Sequence, residues 1–130
     1  MRTEYIKMLD AVTETTTSNN YYVGDCKRLM FIVTRADDDT GSSAFTFKGG
    51  MSSDKATTAP TMVSLNVIET NVANANNQTI LRTTGKTITN ENASYLLWLD
   101  LEEFPVEFVN CTVTETNNGT HSASLLKFID

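Results

Sequence analysis

The side chains best suited to chemistry are few. His121 is the one imidazole and Cys26 and Cys111 are the two thiols in 130 residues. A structural zinc site takes about four such ligands, so three, spread from position 26 to 121, do not make one. His121 is also the one imidazole base that could activate a serine or cysteine nucleophile. It stands two residues beyond Asn118-Gly119, a turn signal, and reads as a solvated histidine near a hairpin tip with no catalytic role. Asp37-Asp38-Asp39 and the Thr40 hydroxyl offer the oxygen ligands a calcium ion requires but lack the spaced alternation of a calcium loop. They read as a solvated hairpin tip. Glu102-Glu103 could supply half of a glycosidase pair, yet that chemistry needs two carboxyls held about 5–10 Å apart across a cleft. Neighbours on a strand point to opposite faces, and no second partner stands out. Catalytic, cofactor-binding and metal-ligating residues are therefore all assigned as none, and no cofactor is expected.

Composition points to the elements that carry these residues. The chain has 21 Thr, 12 Asn and 9 Ser, about a third of its length, against 6 Gly and 2 Pro. Threonine suits strands, and asparagine and serine suit turns. At 130 residues the chain fits one domain, with residues 1–20 read either as an extended N-terminal arm or as the first strand. The formal net charge of −6 argues against a phosphate-backbone binder, which needs clustered Lys and Arg. The longest apolar runs, Leu29 to Val33 and Tyr95 to Leu99, are five residues each, where about 20 are needed to span a bilayer. Neither nucleic acid nor membrane is an expected partner. With no apolar stretch behind Met1-Arg2-Thr3-Glu4, cytoplasmic synthesis is expected. Cys26 and Cys111 are then reduced, small core residues, and the four Asn-x-Ser/Thr matches, at Asn77, Asn92, Asn110 and Asn118, are chance.

Apolar residues recur with period two throughout, which predicts strands. Cys26 to Arg35 reads as the strongest, followed by the five-residue loop Asp37 to Gly41 and an alternating Ala44 to Lys48. A hairpin is the economical connection. Pairing Ala36 with Ser42 sets Val33 opposite Phe45 and Phe31 opposite Phe47, so that Leu29, Phe31, Val33, Phe45 and Phe47 share a core face. Gly49 to Pro60 and Asn71 to Gln78 read as loops. Tyr95 to Leu101 reads as a buried strand rather than a short helix. A type I′ turn at Asn118-Gly119 predicts a closing hairpin with Val113 opposite Ser124, Cys111 opposite Leu126, Val109 opposite Phe128, and His121 facing outward. Eight or nine strands with frequent turns and no confident helix predict an all-β, antiparallel two-sheet β-sandwich of Greek-key, immunoglobulin-like or jelly-roll-like type.

Tyr21 to Ala36, then Gly41-Ser42-Ser43-Ala44-Phe45-Thr46-Phe47, runs from a Lys-Arg strand into a Gly-x-x-x-Phe strand. Ser52-Ser53-Asp54 follows, with Lys55 where a glycine is frequent, then Trp98-Leu99-Asp100-Leu101 and the closing Gly119-Thr120-His121-Ser122-Ala123-Ser124. In these stretches the chain resembles the small β-sandwich structural proteins of tailed-bacteriophage particles. The resemblance implies a non-enzymatic virion component on the outer surface of the capsid, a head decoration or cement protein. Its partners would be the major capsid protein or another virion lattice and further copies of itself. The residues expected at the interface are Tyr5, Ile6, Met8, Tyr21 and Tyr22, because the start of the chain combines apolar residues with a flat polar run from Thr13 to Ser18 that can add to a neighbouring sheet. The alternative is a carbohydrate- or receptor-binding module of a tail or fibre, with Tyr5, Tyr21, Tyr22, Tyr95 and Trp98 as a stacking platform.

Overall fold

The computed structural model describes residues 1–51, 60–74 and 77–129. They form twelve strands and no helix: β1 (Arg2–Val12), β2 (Thr16–Thr17), β3 (Tyr21–Tyr22), β4 (Arg28–Ala36), β5 (Ser42–Met51), β6 (Thr61–Ser64), β7 (Val67–Asn74), β8 (Asn77–Thr83), β9 (Gly85–Thr89), β10 (Ala93–Asp100), β11 (Phe108–Thr116) and β12 (Thr120–Ile129). The count exceeds the eight or nine expected. Two-residue strands carry too little alternation to be seen in a sequence, and β6 and β9 share one edge of β5. The run Asn71 to Gln78, expected to be a loop, lies mostly within the paired strands β7 and β8. Gly49 to Met51, expected to open a loop, belong to β5, and positions 52–59 of that expected loop lie outside the described residues.

All pairing is antiparallel. The first sheet has the order β1-β12-β4-β10-β7-β8, and the second is built on β11-β5, with β2 and β3 along the outer edge of β11 and β6 and β9 along that of β5. Both expected hairpins prove to be crossings between sheets. β4 lies between β12 and β10, and β5 lies against β11 in the other sheet. Asn118-Gly119 likewise leads from β11 in the second sheet to β12 in the first. The positive φ values fall on Asn117 (64°) and Gly119 (129°), whereas a type I′ turn at the expected site would put them on Asn118 and Gly119.

The core membership survives this correction. Leu29, Phe31, Val33, Phe45 and Phe47 are all buried. Phe31 of the first sheet stacks on Phe47 of the second, with ring centroids 4.2 Å apart and an interplanar angle of 24°. Alternation sets the face a residue takes, not the strand it lies beside. Opposed sheets and a hairpin therefore bury the same five residues. Leu97, Leu99, Leu125 and Ala123 complete the first sheet's inner face, with Val109, Cys111, Val113 and Ile88 on the second.

Candidate interaction surface

The side chains with the most chemical capacity sit inside. His121, expected at the surface, is fully buried. The correction follows from the crossing: with β12 in the first sheet, its outward positions are Ser122 and Leu126, and His121 turns inward beside Arg35 of β4. Its Nδ1 lies 2.5 Å from Ser43 Oγ on β5, and its Nε2 2.7 Å from Glu115 Oε2 on β11. A neutral imidazole satisfies both contacts, the Ser43 hydroxyl donating to Nδ1 and Nε2–H donating to the carboxylate. Serine, histidine and carboxylate in sequence suggest acyl-transfer machinery. Ser43 and His121 are both at 0% exposure, so no substrate carbonyl can reach this hydroxyl. The network instead ties three strands of two sheets together.

At the same end, the Arg35 guanidinium is 1% exposed. It donates to the carbonyls of Asp38, of Thr40 at 2.7 Å and of Asn118 at 2.7 Å. One side chain therefore clasps both crossing loops. At the far end Lys127, 3% exposed, is paired with Asp25 at 2.7 Å and donates to the Tyr22 carbonyl at 3.0 Å.

Both cysteines are buried free thiols. Burial pushes the Cys111 thiol up to about 12. Burial also raises Cys26, to about 11, against the opposing pull of Lys127. A thiol with a raised folded-state pKa stabilises the fold fully below its unfolded value near 9, and that contribution is lost as pH climbs towards the folded value. Stability is expected to fall through this range by roughly 1 kcal/mol per pH unit for Cys111. Urea midpoints at stepped alkaline pH should drop less steeply for Cys111→Ala than for the parent; equal slopes would refute the assignment.

The acidic candidates remain apart. Asp38 Oδ1 accepts the Thr40 N–H at 2.8 Å within its own loop. Glu102 pairs with Lys27 at 3.9 Å and Glu103 with Arg82 at 2.8 Å.

The outer surfaces are unlike each other. On the first sheet, strand register lines up one apolar row: Tyr5 opposite Leu126, Leu126 opposite Met30, Met30 opposite Trp98, and Trp98 opposite Ile68. The next row holds Lys7, Ser124, Ile32 and Leu96, and the row on the other side Thr3, Phe128, Arg28 and Asp100. Trp98 and Phe128 stack with centroids 5.9 Å apart. Leu96 is 51% and Tyr5 55% exposed. A depression of about 340 Å³ beside Trp98 is lined by Ile68, Leu99, Arg28 and Asp100. The outer rows of the second sheet are hydroxylic: Thr17, Thr112 and Thr46 in one, Thr114, Ala44 and Thr87 in the next, Thr116, Ser42 and Thr89 in a third. Apolar residues appear there at one end, where Tyr22 meets Phe108 edge-on.

The five residues expected at an interface do not gather. Tyr5 stands on the free edge of the first sheet, its hydroxyl 2.7 Å from Ser124 Oγ. Ile6 packs against the core and Met8 is part of it. The register shift between Lys7 and Leu9 is a bulge that turns Met8 and Leu9 inward together. Tyr21 is also partly buried, its hydroxyl donating to the Lys7 carbonyl at 3.4 Å, while Tyr22 lies on the second sheet. Of the aromatic platform residues, Tyr95 pairs across strands with Val33 on β4, at an inward position, and Trp98 with Met30, at an outward one. The apolar rows of β4, β10 and β12 were missed because each strand shows only one or two outward apolar residues until its neighbours are known.

No protein-family model and no curated protein matches this chain. Among solved structures, the crystal structure of SPBc2 prophage-derived protein YomS is similar, with a TM-score of 0.65 and 11% identity over 96% of this chain and 92% of that one. What the two share at that identity is the fold.

Proposed function

We propose that the protein is a non-enzymatic structural component of a phage particle: a β-sandwich that decorates the outside of the capsid and docks on the major capsid protein lattice through the outer face of its first sheet. The fold shared with a prophage-derived protein supports a phage setting. The observation that carries the docking is the asymmetry of the outer faces. Tyr5, Leu126, Met30, Trp98 and Ile68 form a row on one, while three rows of the other are hydroxylic and its exposed apolar residues, Tyr22, Met51 and Val63, are confined to one end. Contiguous apolar surface rimmed by polar groups marks an interaction site.

Its size favours a repeated partner. Five strands about 4.8 Å apart and three rows about 7 Å apart give a footprint on the order of 400 Å², against about 800 Å² per partner in a stable pair. A single contact of that size is weak. On an ordered lattice, neighbouring copies held together convert weak contacts into avidity.

Leu96→Lys is expected to weaken co-sedimentation with purified capsids by roughly tenfold or more, since a charge in the row beside Met30 and Trp98 must be desolvated when the contact forms. Thr114→Lys on the opposite face should leave it unchanged. The reverse pattern would overturn the assignment. Stoichiometric recovery of the protein from purified particles by mass spectrometry supports a virion role, and absence from them refutes it. A second reading is favoured by the Trp98–Phe128 stack beside the depression: a sugar-binding platform. Glycan-array binding lost in Trp98→Ala, with no capsid binding, would select it.

A further inference from the structure

We infer that the free edge of β1 is a self-pairing site, through which two copies of this chain join their first sheets into one about a two-fold axis at Thr3. The pairing deepens the oligomeric side of the function proposed above and does not depend on the capsid. β1 pairs with β12 along one side from Arg2 onward, and its other side carries no strand among the described residues. Beyond Ile6 that free side closes, because Tyr21 bonds to the Lys7 carbonyl and the bulge at Met8 follows. Residues 1–6 are left as the available edge. Met1, at 85%, and Tyr5, at 55%, are exposed there.

An edge of this kind recruits another strand, and a two-fold axis normal to the sheet makes the added strand antiparallel and the contact self-complementary. Under that axis the outward face must meet the outward face, so residues of like parity pair. Three registers centred near the middle of this strand compete. Centred on Glu4, the pairing sets Glu4 against Glu4, a like-charge contact. Centred on Tyr5, it needs Lys7 and Met8, where the edge is closed. Centred on Thr3, it sets Arg2 opposite Glu4 twice, Thr3 opposite Thr3, and Met1 opposite Tyr5 twice. Opposite charges and threonine pairs directly across strands are stabilising, and the two exposed apolar residues cover each other. The outer row of Tyr5, Leu126, Met30 and Trp98 then gains Met1 of the second copy, so the docking faces of two copies become continuous. Charge complementarity thus picks both the occupant and the register.

Variants with one added cysteine test this on the protein alone. Directly paired Cα atoms lie about 4.5–5.5 Å apart, within disulfide range, so Thr3→Cys should form a cross-linked dimer when two thiols are oxidised by added glutathione disulfide. Glu4→Cys and Tyr5→Cys should cross-link far less, and Cys26 and Cys111 are buried in the core. Glu4→Arg in the Thr3→Cys background should lower cross-linking by roughly tenfold, since two attractive pairs become repulsive, and adding Arg2→Glu should restore it. Sedimentation equilibrium of the unmodified protein should show a monomer–dimer equilibrium that Glu4→Arg shifts to monomer. Cross-linking led by Glu4→Cys or Tyr5→Cys, indifference to the charge swap, or a strict monomer at millimolar concentration would each overturn the pairing. Capsid binding retained by a strictly monomeric protein would leave the docking face standing and remove the dimer alone.

Discussion

Arg35→Ala is expected to lower stability by about 3–5 kcal/mol, because the guanidinium is the shared donor for three carbonyls in two separate loops. Hydrogen bonds to a charged group contribute about 1.5–3 kcal/mol each, and a buried acceptor left without its donor costs about 1–3 kcal/mol. Three acceptors lost together do not add fully, since the loops can relax towards water. For a chain of 130 residues, each kcal/mol moves the melting temperature by about 3–5 °C, so a drop of about 10–20 °C is expected. Lysine should not rescue it. Its single ammonium cannot span three carbonyls that a planar fork reaches at once. Gly119 belongs to the same arrangement: a Cβ there would stand 3.0 Å from the guanidinium carbon, at a φ of +129°. Thermal melts of Arg35→Ala, Arg35→Lys and Gly119→Ala should all fall well below the parent. A loss under about 1 kcal/mol for Arg35→Ala would mean that the crossings hold without the clasp.

Nothing in the sequence separates Arg35 from the exposed basic residues, and the reason is physical. It occupies the inward parity of β4, with Leu29, Phe31 and Val33. A charged residue at that parity near a strand end is ordinarily read as emerging into solvent. Only the two crossing loops, which come from opposite ends of the chain, supply its acceptors. His121 was misplaced for a related reason. Asn118-Gly119 is a strong hairpin signal, and a hairpin sets residue 121 outward; a crossing between sheets reverses the parity. The two Phe-bearing strands show the complementary case. Their apolar alternation was legible and identified the core, because burial depends on face alone, while the neighbour relation was not legible, because opposed sheets and paired strands obey the same alternation. The docking face lies between these cases. Met30 and Ile32 fall on the polar side of an apolar run, and Leu96 and Trp98 on the outer side of another, so neither strand by itself displays an exposed apolar face. Their union became visible only from the order β12-β4-β10.

Truncating either ring of the Phe31–Phe47 stack is expected to cost about 3–5 kcal/mol, as for large core aromatics in general. The rings lie at 0% and 1% exposure, and each belongs to the inner face of a different sheet, so alanine leaves a cavity that neither sheet can close without tilting. The more informative quantity is the coupling. A stacked pair contributes about 0.5–1.5 kcal/mol beyond the area it buries, so Phe31→Ala with Phe47→Ala should fall short of the sum of the single losses by about that amount. Coupling alone does not tell opposed sheets from a hairpin, since the rings touch in both. The lateral partners do. Between opposed sheets, Phe47 sits directly across from Cys111 and Phe31 from both Leu125 and Leu97, whereas a hairpin would place the two phenylalanines beside each other. Backbone nuclear Overhauser effects should therefore link the β5 and β11 ladders, and β4 to β10 and β12. Backbone contacts running instead from Val33 to Phe45 and from Phe31 to Phe47 would restore the hairpin, return His121 to the surface, and dismantle the outer row from Tyr5 to Trp98 on which the docking face is built.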